Sequence, residues 1–224
     1  MTRTRTAIVL TIAVLWGTEC LRTFVLPAST HLAVNLLAAG GVYAIARWAR
    51  ATDAELGLAR WGPGLRLGLL ALAIVGVTVA VGALLPATRE VFERASRPDG
   101  VGALLVEVLL AIPLGTVVLE ELAFRGSLLA LLRRETSARA AVAGSSVLFA
   151  LWHVIPSVWS RAGSTDAALE SAGVSSLPLV LAATFVAGLV FCWLRLRSGS
   201  LLAPFLAHAG ANSAGTLAVW FVRG

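Results

Sequence analysis

Apolar residues gather into seven runs, near 7–26, 31–48, 65–85, 101–122 with a continuation to 132, 138–158, 174–194 and 200–222, and short polar segments separate them. About 20 apolar residues suffice for a helix to cross the hydrocarbon core of a bilayer. Each run therefore predicts a membrane-crossing helix, and together they predict an all-α, polytopic transmembrane helix bundle of about seven spans. The first run follows Arg3 and Arg5, and no small-x-small cleavage site comes after it, so it reads as an uncleaved anchor. Of the polar breaks, 51–64 reads as a surface-lying piece that offers Leu56, Leu58 and Trp61 to the membrane interface. The break at 160–171 reads as an outer loop, with Gly163, Ser164, Thr165 and Asp166 as turn formers. With no internal repeat, low-complexity tract or soluble domain, the chain reads as a single membrane domain over 1–224, its motif-bearing core at about 101–222.

Composition supports this reading. Hydrophobic residues make up 58% of the chain and charged ones 13%, against roughly 45–50% and 25% in an ordinary soluble domain, and the mean hydropathy is +0.87. The net charge of +6 is carried by arginine alone, in short breaks between the runs rather than in one patch. That distribution suits membrane orientation and gives no nucleic-acid surface. With the N-terminus inside, the inner segments hold Arg3, Arg5, Arg47, Arg50, Arg60, Arg66, Arg133, Arg134, Arg139, Arg195 and Arg197, and the outer ones hold Arg89, Arg94, Arg97, Arg161 and Arg223. This bias predicts N-in, C-out. Cys20 and Cys192 lie far apart in apolar runs and are expected to be small buried apolar residues rather than a disulfide or a thiolate metal site.

Charge inside the apolar runs carries the chemical signal. The segment LEELAFR places Glu120, Glu121 and Arg125 in the fourth run, where a lipid-facing charge costs several kcal/mol. Glu121 and Arg125 are i,i+4 neighbours on a helix and predict an ion pair, whereas Glu120 is rotated about 100° away and is expected to remain available for another task. Phe149 and His153 in FALWH, and His208 and Asn212 in LAHAGAN, repeat the i,i+4 spacing. Measured from Arg134, Arg139 and Arg197, residues Glu120, His153 and His208 sit roughly 21, 21 and 17 Å along their helices, so the three are at similar depth.

Plainer readings stand beside these. Glu121 with Arg125 also reads as a buried pair that fixes helix register, and a single intramembrane histidine or asparagine also reads as an interhelical hydrogen-bonding group. Three motifs at matched depth favour one shared site. Glu19 and Arg22, i,i+3 in the first run, predict a self-satisfied pair. Glu107 is a weak site candidate near the outer end of the fourth run, and His31 lies at a span boundary. The small residues Ala207, Ala209, Gly210, Ala211, Ser213, Ala214 and Gly215 predict close helix packing that lets His208 approach its neighbours.

A glutamate beside two imidazoles in a dry cavity suits water activation, since a desolvated carboxylate takes up and returns a proton near neutral pH. His153 would share in orienting the water, while His208 and the Asn212 amide would serve the oxyanion of a tetrahedral intermediate. Equally, Glu120, His153 and His208 form a two-histidine, one-carboxylate set that suits a catalytic divalent metal, zinc before others. The cofactor expectation is therefore none or one divalent metal. There is no HExxH, and no serine lies in GxSxG.

EELAFR, FALWH and HAGAN, in that order, resemble the EExxxR, FxxxH and HxxxN signatures of the CPBP family, which comprises the CAAX proteases and bacteriocin-processing enzymes also called Abi proteins. The resemblance covers about 116–215 and implies an intramembrane endopeptidase similar to type II CAAX prenyl proteases. By position it implies Glu120 as water activator, His153 as its partner, His208 and Asn212 as oxyanion stabilisers or ligands, and Glu121, Arg125 and Phe149 in support. It leaves glutamate-dependent and metalloprotease mechanisms open. The expected partners are membrane lipid and a peptide or membrane-protein substrate. The preference for arginine over lysine hints at a bacterial cytoplasmic membrane, where prenylated CAAX proteins are a poor fit. The alternatives are a Glu/His-dependent transporter and a non-enzymatic immunity protein.

Overall fold

The computed structural model describes residues 2–159 and 177–224, and the expected outer loop at 160–171 lies outside the described residues. The described elements are helical: α1 (Arg3–Phe24), α2 (His31–Trp48), the short α3 (Asp53–Leu56), α4 (Trp61–Leu84), α5 (Pro86–Arg94), the long α6 (Gly100–Glu135), α7 (Ala138–Trp152) with its continuation α8 (Val154–Trp159), α9 (Leu177–Ser198) and α10 (Leu202–Val222). Six helical stretches are long and apolar enough to cross a membrane, including α3 with α4 and α7 with α8 as single stretches. The seventh expected span, α10, has 21 residues but is not among the six; His208, Asn212 and Ser213 lower its hydropathy. Those polar residues belong to the site described below.

Helix α6 is the hub, packing against α1, α2, α7 and α10, while α4 lies along α10 and α7 along α9. Side chains from four helices fill the space beside it: Leu15 of α1, Val42 of α2, Phe124 and Leu128 of α6, and Phe149 and Trp152 of α7. The far face of α4 instead exposes Leu69, Leu70, Ile74 and Val77. A row of exposed large aliphatic residues would be a liability in water and is the expected lipid face in a membrane.

Close approach of α4 and α10 rests on glycine. A methyl group on Gly68 would stand 3.1 Å from both the Ala203 Cα and the Leu202 carbonyl oxygen, and Gly210 of α10 faces Leu72 in the same way. The small residues of α10 thus do pack closely, but the close backbone approach of this pair depends on a glycine of α4. Gly188 of α9 meets Ser146 of α7 at a similar 3.0 Å.

The segment 51–64 differs from its expectation. Thr52 and Glu55 cap α3 reciprocally, which satisfies two backbone donors at once. Leu56 then turns inward, fully buried against Ala46, Ala51 and Ala130, and only Trp61 keeps the expected exposure, at 63%. Arg134 donates to Glu55 and to the carbonyls of Ala49 and Arg50, and Arg195 donates to the Glu55 carbonyl at 2.7 Å. Gly57 follows with φ +80° and accepts from the Leu201 backbone at 2.8 Å. A left-handed residue is needed there, and an added Cβ would strike the Arg195 guanidinium. Two arginines that serve as orientation markers in the sequence are thus also clasps that fold this linker onto the bundle.

The Glu19–Arg22 pair forms at 3.0 Å, with Thr23 donating to the same carboxylate. Cys192 is fully buried, but Cys20 is exposed, which corrects the expectation that both are buried. Its position on α1 leaves it outside the interhelical core that claims Leu15 and Glu19.

Candidate active site

Helix α6 departs from regular α geometry where the charges lie. Turns with i→i+5 hydrogen bonding occupy Glu107–Ala111, Pro113–Val117 and Glu121–Leu128. Pro113 has no N–H to give to the preceding turn, which gives one local reason for widening, and π-type turns are frequent at functional sites. The Gly115 carbonyl accepts from the buried Asn35 amide of α2. That contact braces the irregular stretch from the side, and the sequence reading passed over Asn35.

The buried Glu121–Arg125 pair forms as expected, with Nη1 to Oε1 at 3.0 Å and both side chains almost entirely excluded from solvent. Arg125 lies 3.9 Å from the centroid of the Phe149 ring and 4.9 Å from that of Phe191. Its remaining N–H groups, at Nε and Nη2, find no hydrogen-bond partner among the described residues, and the aromatic faces provide the compensation available to a buried guanidinium.

His208 of α10 joins the two glutamates. Its Nδ1 donates to Glu121 Oε1 at 2.8 Å, and its Nε2 stands 3.7 Å from Glu120 Oε2. The ring is clamped, stacked on Phe191 at 4.8 Å and edge-on to Phe149 at 5.9 Å. Adjacent glutamates thus converge on one imidazole, and the direct bond goes to Glu121 rather than to Glu120. Helix α7 also reaches Glu120: Trp152 Nε1 donates to Glu120 Oε1 at 3.1 Å. Trp152 stands next to the motif histidine in FALWH, and its indole N–H is a donor that needs a buried acceptor; that was the available signal.

His153 ends α7, where its Nδ1 donates to the Phe149 carbonyl at 2.7 Å. A carbonyl only accepts, so this bond fixes the tautomer and makes Nε2 the acceptor nitrogen. Its ring meets Phe149 at 4.7 Å, so both motif histidines flank one phenylalanine. Asn212, one turn beyond His208, is buried.

Metal ligation was one expected alternative. A catalytic zinc takes three protein ligands, and Glu120 Oε2 with His208 Nε2 supplies two. Among the described residues no group of three histidine, cysteine, aspartate or glutamate side chains is placed to hold a metal ion.

These features define a polytopic, all-helical membrane protein with a carboxylate–imidazole cluster buried between its helices. Residues 102–214, half of the chain, match the family described as Type II CAAX prenyl endopeptidase Rce1-like. The chain belongs to this family of CAAX-type intramembrane proteases. Neither curated proteins nor solved structures give a match to the chain.

Proposed function

We propose that the protein is an intramembrane endopeptidase that hydrolyses a peptide bond in a membrane-associated or lipid-modified substrate, using water activated by Glu120 and His208. The observation that carries this reading is the 3.7 Å gap between Glu120 Oε2 and His208 Nε2. With Nδ1 protonated toward Glu121, a neutral His208 presents a lone pair at Nε2. An ionised Glu120 then faces it acceptor to acceptor. A water that donates one proton to each, at about 2.8 Å, relieves that opposition and directs its own lone pairs outward.

In the reaction Glu120 takes a proton from the water as its oxygen bonds to the scissile carbonyl carbon. The oxyanion that forms accepts from the Asn212 amide. Glu120 then passes the proton to the departing nitrogen as the C–N bond breaks. Trp152 holds the carboxylate in register, and the Glu121–Arg125 pair keeps the imidazole in the required tautomer. The oxyanion role expected for His208 from the sequence would need its protonated form, so the geometry favours Asn212 as donor and His208 as water orienter. His153, with its acceptor nitrogen at Nε2, is assigned to orienting water at the same cluster.

Cleavage of a fluorogenic membrane peptide by purified protein in liposomes tests this reading. Glu120→Gln keeps shape and removes the base, so cleavage is expected to disappear while helicity and thermal midpoint hold. Full activity of that variant sinks the proposal. If Glu120 and His208 activate the water without a metal, incubation with 1,10-phenanthroline leaves the rate unchanged. A loss restored by zinc would instead establish metal dependence. We place the protein with its N-terminus inside, in a bacterial cytoplasmic membrane, on the arginine bias.

A further inference from the structure

Helices α6 and α10 run antiparallel, and their contact does not end at His208. On α10, His208, Asn212 and Thr216 follow one another at i,i+4 spacing. The first contacts Glu120 and Glu121; the third donates to Glu107 Oε1 at 3.3 Å. Asn212 lies between two residues that both touch α6 and shares their face. Ser213 donates to the Val108 carbonyl at 3.3 Å, which fixes the same register. On α6, Thr116 stands one turn before Glu120, between the level of His208 and that of Thr216.

Two buried polar side chains lie along this middle stretch. Thr116 is 4% exposed and its hydroxyl finds no hydrogen-bond partner among the described residues, and Asn212 is 6% exposed. Native proteins rarely leave such groups unsatisfied, and buried water is the usual partner where several converge. Half-buried Glu107 marks the far end of the row, away from the Arg133, Arg134, Arg195 and Arg197 end of the bundle. From His208 to Thr216 the row covers about 12 Å.

We infer that the α6–α10 seam is a hydrated path that supplies the hydrolytic water to Glu120 and His208, with Glu107 and Thr216 at its mouth and Thr116 and Asn212 as its inner hydrogen-bonding stations. The inference rests on the hydrolase reading for its purpose, but not for its existence. Hydrolysis consumes one water per turnover in a region otherwise walled by lipid-facing helices, and the seam is the run of polar side chains that connects the carboxylate–imidazole cluster to Glu107.

Cysteine accessibility tests it. In a Cys20→Ala background, Thr116→Cys, Thr216→Cys and the lipid-facing control Leu109→Cys (61% exposed) are treated with a small, charged methanethiosulfonate, which needs water and a thiolate to react. Thr116→Cys and Thr216→Cys are expected to label fully while Leu109→Cys stays unlabelled. Correctly folded Thr116→Cys and Thr216→Cys proteins that stay unlabelled overturn the path, and Thr216→Cys alone suffices if Thr116→Cys does not fold. With a substrate peptide bound, Thr216→Cys should still label, because it lies a helical turn beyond the oxyanion donor. Its protection would assign the seam to the peptide instead of water and overturn the inference. Labelling needs no turnover, so it can be repeated with Glu120→Gln; failure of the unsubstituted protein to cleave counts against the hydrolase reading alone.

Discussion

Glu121 Oε1 accepts from Arg125 and from His208 at once, so a single atom ties the ion pair to the imidazole that faces the proposed water. Glu121→Gln removes the charge that, among the described residues, directly pairs with Arg125 and leaves a guanidinium buried. Breaking such a pair costs about 3–5 kcal/mol, whereas replacing both members by apolar residues often costs little. Glu121→Gln is therefore expected to lower the thermal midpoint in detergent sharply, and Glu121→Leu with Arg125→Met to recover much of it without recovering cleavage. Equal losses in the single and double variants would show the pair to be uncoupled. Trp152→Phe keeps the ring and deletes the donor to Glu120, an unmade bond worth about 1–3 kcal/mol; kcat is expected to fall while KM holds. At this scale the sequence showed the Glu121–Arg125 pair, because i,i+4 spacing lies within one helix. It did not show which glutamate His208 would choose, since that depends on how α10 is rotated against α6. Trp152 and Asn35 were missed for a related reason: their partners lie on other helices.

At the scale of elements, six of the seven expected spans were legible in hydropathy; the caps that Ser137 and Thr52 give α7 and α3 were not read from the sequence. Nor were the departures. Widened turns in α6 follow from Pro113 together with side contacts such as Asn35 to Gly115, and α3 folds inward because Arg134 reaches the Glu55 carboxylate and Arg195 the Ala54 and Glu55 carbonyls from two other helices. Glycine gives the sharpest contrast between local and tertiary cause. Gly68 and Gly76 lie on the same helix, yet a side chain at Gly68 meets the backbone of α10 while one at Gly76 meets nothing. Gly68→Leu is expected to destabilise by about 1–3 kcal/mol through overpacking and to displace His208, whereas Gly76→Leu should leave stability and cleavage intact. Equal effects in the two variants would refute the tight α4–α10 contact.

For the whole molecule, topology is the open physical quantity that arginine can set. The N-in arrangement puts the turn between α6 and α7 on the inner side and the segment between α5 and α6 outside. A phosphatase reporter active only outside the membrane is expected to be active when inserted near Ser96 and silent near Thr136; the reverse result would invert the bundle. Arg134 and Arg195 complicate the count, because each hydrogen-bonds backbone carbonyls of the α3 region. Their replacement should therefore loosen the linker as well as weaken the bias, which proteolysis between α3 and α4 would detect.

Composition and hydropathy determined that this chain is a membrane-embedded helical protein, and the motifs named the charged and polar residues inside its apolar runs. Both are properties of a helix taken alone: burial in lipid follows from side-chain transfer energy, and i,i+4 proximity from helical pitch. Which carboxylate meets which imidazole, what holds Glu120 and where a polar seam continues are decided by the rotation, tilt and spacing of α6, α7 and α10. Those depend on contacts such as Gly68 against Ala203 and Arg125 against Phe149, between residues far apart in the chain that meet only once the helices have packed.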